Sequence, residues 1–132
     1  MNKRLYKSTK LLGLTISHVA EVGVYRPETS NILGFITDGV RADLFEPDPE
    51  SIARICDAFG NTSHVRIYPY AIYKETARIR LYRAGASTFV ADLASSPALA
   101  NDGYQPSPND AFEVEARRFD EFDDGTNDLL SI

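Results

Sequence analysis

The chain has 132 residues, of which 43% are hydrophobic and 25% are charged, as in one soluble globular domain. Its net charge of −5 argues against a nucleic-acid-binding surface, which is usually basic. No segment approaches the ~20 apolar residues that cross a bilayer, so we expect no membrane partner and a cytoplasmic location. The single cysteine, Cys56, excludes an internal disulfide, and its helical spacing predicts a core position.

The first half of the chain alternates apolar strands with amphipathic helices. Asp48 is a preferred N-cap and Pro49 a preferred first helical residue, so a helix should begin there. The predicted elements are a basic lead-in over residues 1–15, a strand over 16–24, a helix over 27–38, a strand over 40–46 and a helix over 49–59.

The second half contains shorter strands and turn-forming residues. Its predicted elements are strands over residues 65–72, 77–82, 112–117 and 128–132, and a long ordered loop over 85–111 with a short helix near Val90–Leu93. Strand–helix–strand–helix–strand order predicts a doubly wound, mostly parallel, Rossmann-like α/β sheet, here with added antiparallel strands.

Two acidic residues and a glycine lie where the first two predicted strands end. Glu21 and Gly23 belong to the first strand, and Glu46 ends the second. Ligands bind at this edge of a parallel sheet, and a glycine lets them approach the backbone closely. A carboxylate at the tip of the second strand can accept hydrogen bonds from both ribose hydroxyls. The pattern therefore predicts a nucleoside cofactor.

The residues after Gly23 narrow the choice of cofactor. A dinucleotide site favours G-x-G-x-x-G, with the pyrophosphate on a helix N-terminus. Here the run is Gly-Val-Tyr-Arg-Pro-Glu, and Glu28 puts negative charge where a pyrophosphate would bind. S-adenosylmethionine has a ribose but no phosphate, and its amino group can meet an acid such as Glu21, directly or through water. The sequence therefore favours S-adenosylmethionine over NAD and ATP.

Four stretches carry a resemblance to a known family: Glu21-Val-Gly-Val-Tyr-Arg-Pro-Glu-Thr-Ser30, Leu44-Phe-Glu-Pro-Asp-Pro49, Ala86-Ser-Thr-Phe-Val90 and Asp128-Leu-Leu-Ser-Ile132. They resemble FkbM-type S-adenosylmethionine-dependent methyltransferases, from about residue 16 to the end, and the Phe-Glu-Pro-Asp-Pro block is the most specific part. The resemblance implies a class I methyltransferase sheet. It also implies methyl transfer to a hydroxyl of a small-molecule acceptor, a sugar or natural product.

The resemblance further implies residue roles. Glu21 and Gly23 would hold the methionine part, Glu46 the ribose, and residues 71–73 would border the adenine. The implied cofactor contacts are Glu21, Gly23, Val24, Tyr25, Glu46, Pro47, Ala71 and Ile72. The family's first loop is richer in glycine, so Tyr25 and Arg26 either fold over the cofactor or narrow its site.

Family members continue after the last predicted strand with an Asp-x-Glu-Gly segment. We therefore expect the domain over residues 16–132 to be C-terminally truncated, and no general base is named. The sheet edge beside Asp128–Ile132 should then be open and favour a homo-oligomer. Two other functions stay open. One is a non-catalytic truncated remnant or interaction partner, and the other is an NAD- or nucleotide-binding oxidoreductase fragment that uses the same ribose acid.

Metal binding is not expected. The acids between residues 120 and 128 lack the alternating ligand spacing of an EF-hand, so a solvated turn is predicted. His18 and His64 have no neighbouring cysteine or histidine with which to hold zinc.

Overall fold

The computed structural model describes residues 3–83, 89–90 and 111–132. The strands are β1 His18–Val22, β2 Arg41–Phe45, β3 Val65–Tyr68, β4 Ala71–Ile72, β5 Ala77–Tyr82, β6 Phe89–Val90, β7 Ala111–Arg117 and β8 Leu129–Ser131. The helices are α1 Arg4–Leu11, α2 Leu33–Thr37 and α3 Pro49–Phe59, with 3-10 helices at Pro27–Thr29 and Phe119–Glu121.

Two sheets organise these elements. The first has the order β3-β2-β1-β8, and all its neighbouring strands are parallel. The second has the order β4-β7-β5-β6, with β5 antiparallel to both of its neighbours and β4 parallel to β7. The predicted α/β class, the parallel sheet and the added antiparallel strands are thus confirmed, and the strand order is consistent with a Rossmann-like fold. Within the described residues, β8 lies at an edge of the first sheet, as expected.

The predicted strand over residues 65–72 is wrong in its second half. Tyr68 pairs with Phe45 in the first sheet, whereas Ala71 pairs with Ala116 in the second. Pro69 lies between them, and a proline cannot donate to a strand ladder. The chain therefore leaves one sheet and enters the other at this point. The predicted helix near Val90–Leu93 is also wrong at Val90, which belongs to β6, and residues 91–93 lie outside the described part.

The predicted helix over residues 27–38 is divided in two. A 3-10 helix ends at Thr29, and α2 starts only at Leu33. Between them the Ser30 hydroxyl and the Asn31 N–H both donate to the Glu21 carboxylate instead of to helical partners. A buried acid on β1 thus interrupts the helix, and no local sequence signal shows this competition.

The prediction for α3 is confirmed, because the Asp48 side chain accepts from the N–H of Glu50 and Pro49 is the first helical residue. Cys56, however, is exposed, so its predicted core position is wrong. The buried stripe of α3 runs through Ser51, Ile55 and Phe59 at spacings of four. Cys56 follows Ile55, and one residue rotates about 100° around a helix.

Different structures cover the two faces of the first sheet. One face packs against the helices, in a core that contains Val19, Leu44, Ile32, Phe35 and Ile55. On the other face, the ring of Phe45 contacts the rings of Tyr68, Phe119 and Phe122. In the described part of the chain this second face is therefore covered by a 3-10 helix and its loop. The helix that a doubly wound fold predicts there is not present among those residues.

Helix α1 is fixed by a close contact between Tyr6 and Gly34. A Cβ built on Gly34 would lie 2.6 Å from Tyr6 Cγ. The Tyr6 ring packs edge-on against Phe35, and its hydroxyl donates to Asp38.

We expect Gly34→Ala to displace α1 and destabilise the protein by about 1–3 kcal/mol, because a packed ring cannot absorb an added methyl. Urea unfolding measures this change. In the Tyr6→Ala background, the added Gly34→Ala change should lower the free energy of unfolding by much less than it does in the parent chain. An equal loss of stability from Gly34→Ala with and without the Tyr6 ring would show that the contact with this ring is not the cause.

Candidate functional site at the tips of β1 and β2

Gly23 and Glu46 lie side by side, where β1 and β2 end. The N–H of Gly23 donates to the carbonyl oxygen of Phe45 over 2.9 Å, so the two strand tips are in register. Gly23 has φ +78°, a left-handed conformation that favours glycine. A Cβ added there would meet nothing within 4 Å, so the space in front of this turn is open.

The Glu46 carboxylate is fixed by two backbone donors. Tyr25 N–H donates to Oε2 over 2.7 Å, and Asp48 N–H donates to Oε1 over 3.0 Å. A carboxylate has about four acceptor positions, two on each oxygen. One position therefore remains on each oxygen of Glu46. Such a pair suits the two hydroxyls of a vicinal diol, although only 5% of the residue's surface is exposed.

Tyr25 adopts a backbone conformation that its residue type disfavours. Its φ is +64°, and the N–H of Arg26 donates to the carbonyl oxygen of Val24 over 2.8 Å, which closes a three-residue turn. A non-glycine residue held at positive φ costs roughly 1 kcal/mol or more, and such residues concentrate at functional sites. The turn aims the Tyr25 N–H at Glu46. The Arg26 guanidinium lies 5.0 Å from the centre of the Tyr25 ring.

Glu21 lies inside the same region but supports a turn. It is 3% exposed, and its carboxylate accepts from the Ser30 hydroxyl over 2.5 Å and from Asn31 N–H over 3.1 Å. The Asn31 side chain donates in turn to the Ser131 hydroxyl of β8. Glu21 therefore links β1 to the segment before α2, and through Asn31 to β8, close to Gly23 along the chain.

Burial changes the acidity of both carboxylates. Loss of hydration raises the pKa of Glu46 above its ordinary value of 4.5, against the opposing effect of its two N–H donors. Burial likewise raises the pKa of Glu21, and the nearby Glu46 charge adds to this increase. Each group therefore binds a proton more tightly in the folded chain than in the unfolded one.

We expect these two acids to make the protein less stable as the pH rises. Their contribution to the free energy of unfolding is fully present below pH 4.5 and falls as the pH passes through the raised pKa values. Urea unfolding between pH 5 and pH 8 measures the slope. Glu21→Gln removes one titrating group and should flatten it, whereas Glu28→Gln, at an exposed position, should leave it unchanged. An identical slope in Glu21→Gln would contradict the assignment.

The other residues predicted to contact the cofactor are more scattered. Val24 is buried in the helix-side core and Ala71 in the core of the second sheet, while Ile72 pairs with Arg117. Pro47 lines a cleft of about 350 Å³. The other residues that line this cleft are Pro49, Ile52, Ala53, Pro69, Arg78 and Glu113–Glu115. The structure thus brings together Gly23, Tyr25 and Glu46, and Pro47, the next residue after Glu46, belongs to the lining of a separate cleft.

Sequence reasoning missed the polar contacts of Arg83 and of His18. Arg83, which follows β5, binds Asp48 through two nitrogen atoms, over 2.9 and 3.0 Å. His18 contacts Asp43 and Thr126 through its two ring nitrogens, over 2.7 and 2.8 Å, on the face of the sheet opposite to Glu46. All of these contacts join residues 25 or more positions apart, so no spacing pattern in the sequence could indicate them.

The acidic segment near the end of the chain forms an internally bonded turn. Arg41 pairs with Asp124, whose pKa is lowered to about 2, mainly because the Thr126 side chain and backbone donate to it. Asp128 accepts from the N–H groups of Ser17 and His18. These acids thus position the turn on the first sheet.

Among the described residues, no helix is long and apolar enough to cross a membrane. Comparison of the chain with protein-family models, with curated proteins and with solved structures returned no match.

Proposed function

We propose that this chain binds S-adenosylmethionine and forms the cofactor-binding part of an FkbM-type O-methyltransferase. The observation that carries the proposal is the Glu46 carboxylate at the tip of β2, which accepts one backbone N–H on each oxygen and so has acceptor capacity left on both. A ribose offers two adjacent hydroxyl donors with matching spacing. The open space in front of Gly23 lies beside that carboxylate and would admit the rest of the nucleoside.

The charges around the site favour a cation over a phosphate. Glu21 and Glu46 are buried acids within this corner of the fold, whereas the Asp48 carboxylate is paired with Arg83. Glu28 also lies in the first turn of the 3-10 helix that follows Gly23. These negative charges attract the sulfonium of S-adenosylmethionine and repel the pyrophosphate of NAD.

The cleft lined by Pro47 has room for the base of an adenosyl group. It follows Glu46 directly along the chain, and its volume of about 350 Å³ lies within the usual range for ligand sites. Pro47, Pro69 and Ile52 contribute apolar lining that suits a flat base, and Arg78, Glu113 and Glu115 contribute charged lining. In this proposal the base would lie beyond Pro47, since Ala71 is only 8% exposed.

The chemistry requires chiefly positioning. S-adenosylmethionine supplies a methyl group on a positively charged sulfur, and its transfer to an oxygen is a direct displacement that needs in-line geometry. The residues of this chain hold the donor: Glu46 orients the ribose, and Glu21 holds the turn next to Gly23. The hydroxyl acceptor, from a sugar or natural product, follows from the family resemblance alone, and we assign no general base.

Isothermal titration calorimetry tests the proposal directly. We expect the chain to bind S-adenosylmethionine and S-adenosylhomocysteine, and to bind NAD at least tenfold more weakly. Tighter binding of NAD would overturn the proposal and favour the oxidoreductase alternative. Binding of S-adenosylmethionine without transfer to any hydroxyl acceptor would favour a non-catalytic protein with the same cofactor site.

A further inference from the structure

We infer that Arg83, which lies outside the site, positions the Glu46 carboxylate by clamping Asp48, so that the second sheet becomes part of the ribose site. The ligand-binding test of this inference rests on the proposed function, whereas the titration of the Glu46 carboxyl without a ligand does not.

The clamp between Arg83 and Asp48 has a directional geometry. Arg83 Nε donates to Asp48 Oδ2 over 2.9 Å, and Nη2 donates to Oδ1 over 3.0 Å. Two parallel bonds from a planar guanidinium hold a carboxylate in one orientation, which a lysine cannot do. The Asp48 side chain is 8% exposed and the Arg83 side chain 36% exposed, so the clamp is poorly hydrated on its carboxylate side. Its strength is therefore less reduced by water than that of a surface ion pair.

Asp48 transmits this constraint to Glu46 through its backbone. The N–H of Asp48 is one of the two donors that hold Glu46, over 3.0 Å. The Asp48 side chain also accepts from the N–H of Glu50, which fixes the first turn of α3. A displacement of the Asp48 backbone would therefore move its N–H away from Glu46 Oε1. The clamp at the Asp48 side chain keeps that amide in place.

Arg83 is itself anchored in the second sheet. Its guanidinium lies 4.7 Å from the centre of the Phe112 ring, which packs against the core of that sheet. It also lies 3.8 Å from Glu50. These contacts restrain the Arg83 side chain, and through it the tip of β2 is connected to β5 and β7.

The charges that face Glu46 determine the effect of losing this clamp. Asp48 faces it from the start of α3 and raises its pKa, and Glu21 faces it from β1. The opposing contributions are the N–H groups of Tyr25 and Asp48. Removing Arg83 leaves the Asp48 charge less compensated and loosens one of these donors. Both changes favour protonation of Glu46.

Carbon-13 NMR titration of the Glu46 carboxyl, assigned with Glu46→Gln, tests the clamp without a ligand. We expect the titration midpoint of Glu46 to rise in Arg83→Met. It should rise by a smaller amount in Arg83→Lys, which keeps the charge but loses the two parallel N–H donors. Arg80→Met, at an exposed position of β5, is the matched control and should titrate like the parent chain. If Arg83→Met does not fold, Arg83→Lys decides the question. An unchanged midpoint in the folded variant overturns the inference.

The affinity for S-adenosylhomocysteine gives the second readout. We expect Arg83→Met to bind about tenfold more weakly at pH 7, with the difference growing as the pH falls, while Arg80→Met binds normally. A purely structural role would lower affinity equally at every pH, which would contradict positioning of Glu46. If the parent chain binds no S-adenosyl ligand, the proposed function fails, and the NMR titration alone still tests the clamp.

Discussion

Glu46→Gln should weaken binding of S-adenosylhomocysteine by about 100-fold or more. The carboxylate offers four acceptor positions, and two of them are taken by the N–H groups of Tyr25 and Asp48. A glutamine replaces one oxygen with an NH2 group, which would face one of these donors. The amide therefore loses a bond to the protein and one of the two acceptors for the ribose. Bonds to a charged group contribute about 1.5–3 kcal/mol each, which corresponds to the expected change.

Two variants separate charge from geometry in this experiment. Glu46→Asp keeps the charge but withdraws it by one methylene, and we expect an intermediate loss of affinity. Glu75→Gln removes an exposed acid before β5, which has no assigned role in the site, and should leave affinity within about twofold. Calorimetry on all three, with circular dichroism to verify folding, gives the comparison. Unchanged binding in a folded Glu46→Gln chain would show that this acid does not hold the ribose.

Phe45→Ala should destabilise the protein by about 3–5 kcal/mol, which is a large share of the roughly 5–15 kcal/mol that stabilises a typical domain. Phe45 is 1% exposed and stacks on Tyr68 at 4.8 Å between ring centres. It also meets Phe119 at 5.7 Å and Phe122 at 5.4 Å. Its removal leaves a cavity between the first sheet and the segment that covers this face.

Urea unfolding measures the loss of stability, and hydrogen exchange locates it. We expect faster exchange in residues 119–128 of the variant, because their aromatic anchor is gone. Leu130→Ala, at a position that is 43% exposed, should cost less than about 1 kcal/mol. A small effect of Phe45→Ala would mean that another element covers this face of the sheet.

Local sequence patterns predicted the elements whose signals lie within a few residues. Asp48 and Pro49 mark the start of α3, and Gly60 follows its last residue. The alternation over residues 77–82 gives β5, and that over 112–117 gives β7. In each case a backbone preference and the burial pattern agree, so tertiary contacts have nothing to override.

The failures arose where a distant side chain competes with local preference. Glu21 draws Ser30 and Asn31 out of the predicted helix, and Pro69 allows residues 71–72 to join β7 instead of β2. Cys56 was placed on the apolar face by its spacing, but the helix turns that position outward. The interruption by Glu21 joins residues nine and ten positions apart, and the transfer to β7 pairs Ala71 with Ala116, 45 positions away.

The sequence by itself determined the α/β class, the order of the first strands and helices, and the position of Gly23 and Glu46 at the ends of β1 and β2. These follow from apolar periodicity and from the rule that parallel strands present their carboxyl ends at one edge. Only the tertiary structure decided how Glu46 is held. The turn at Tyr25, the amide of Asp48 and the clamp by Arg83 come from three separate segments. Their convergence depends on packing between two sheets, and no local pattern encodes it.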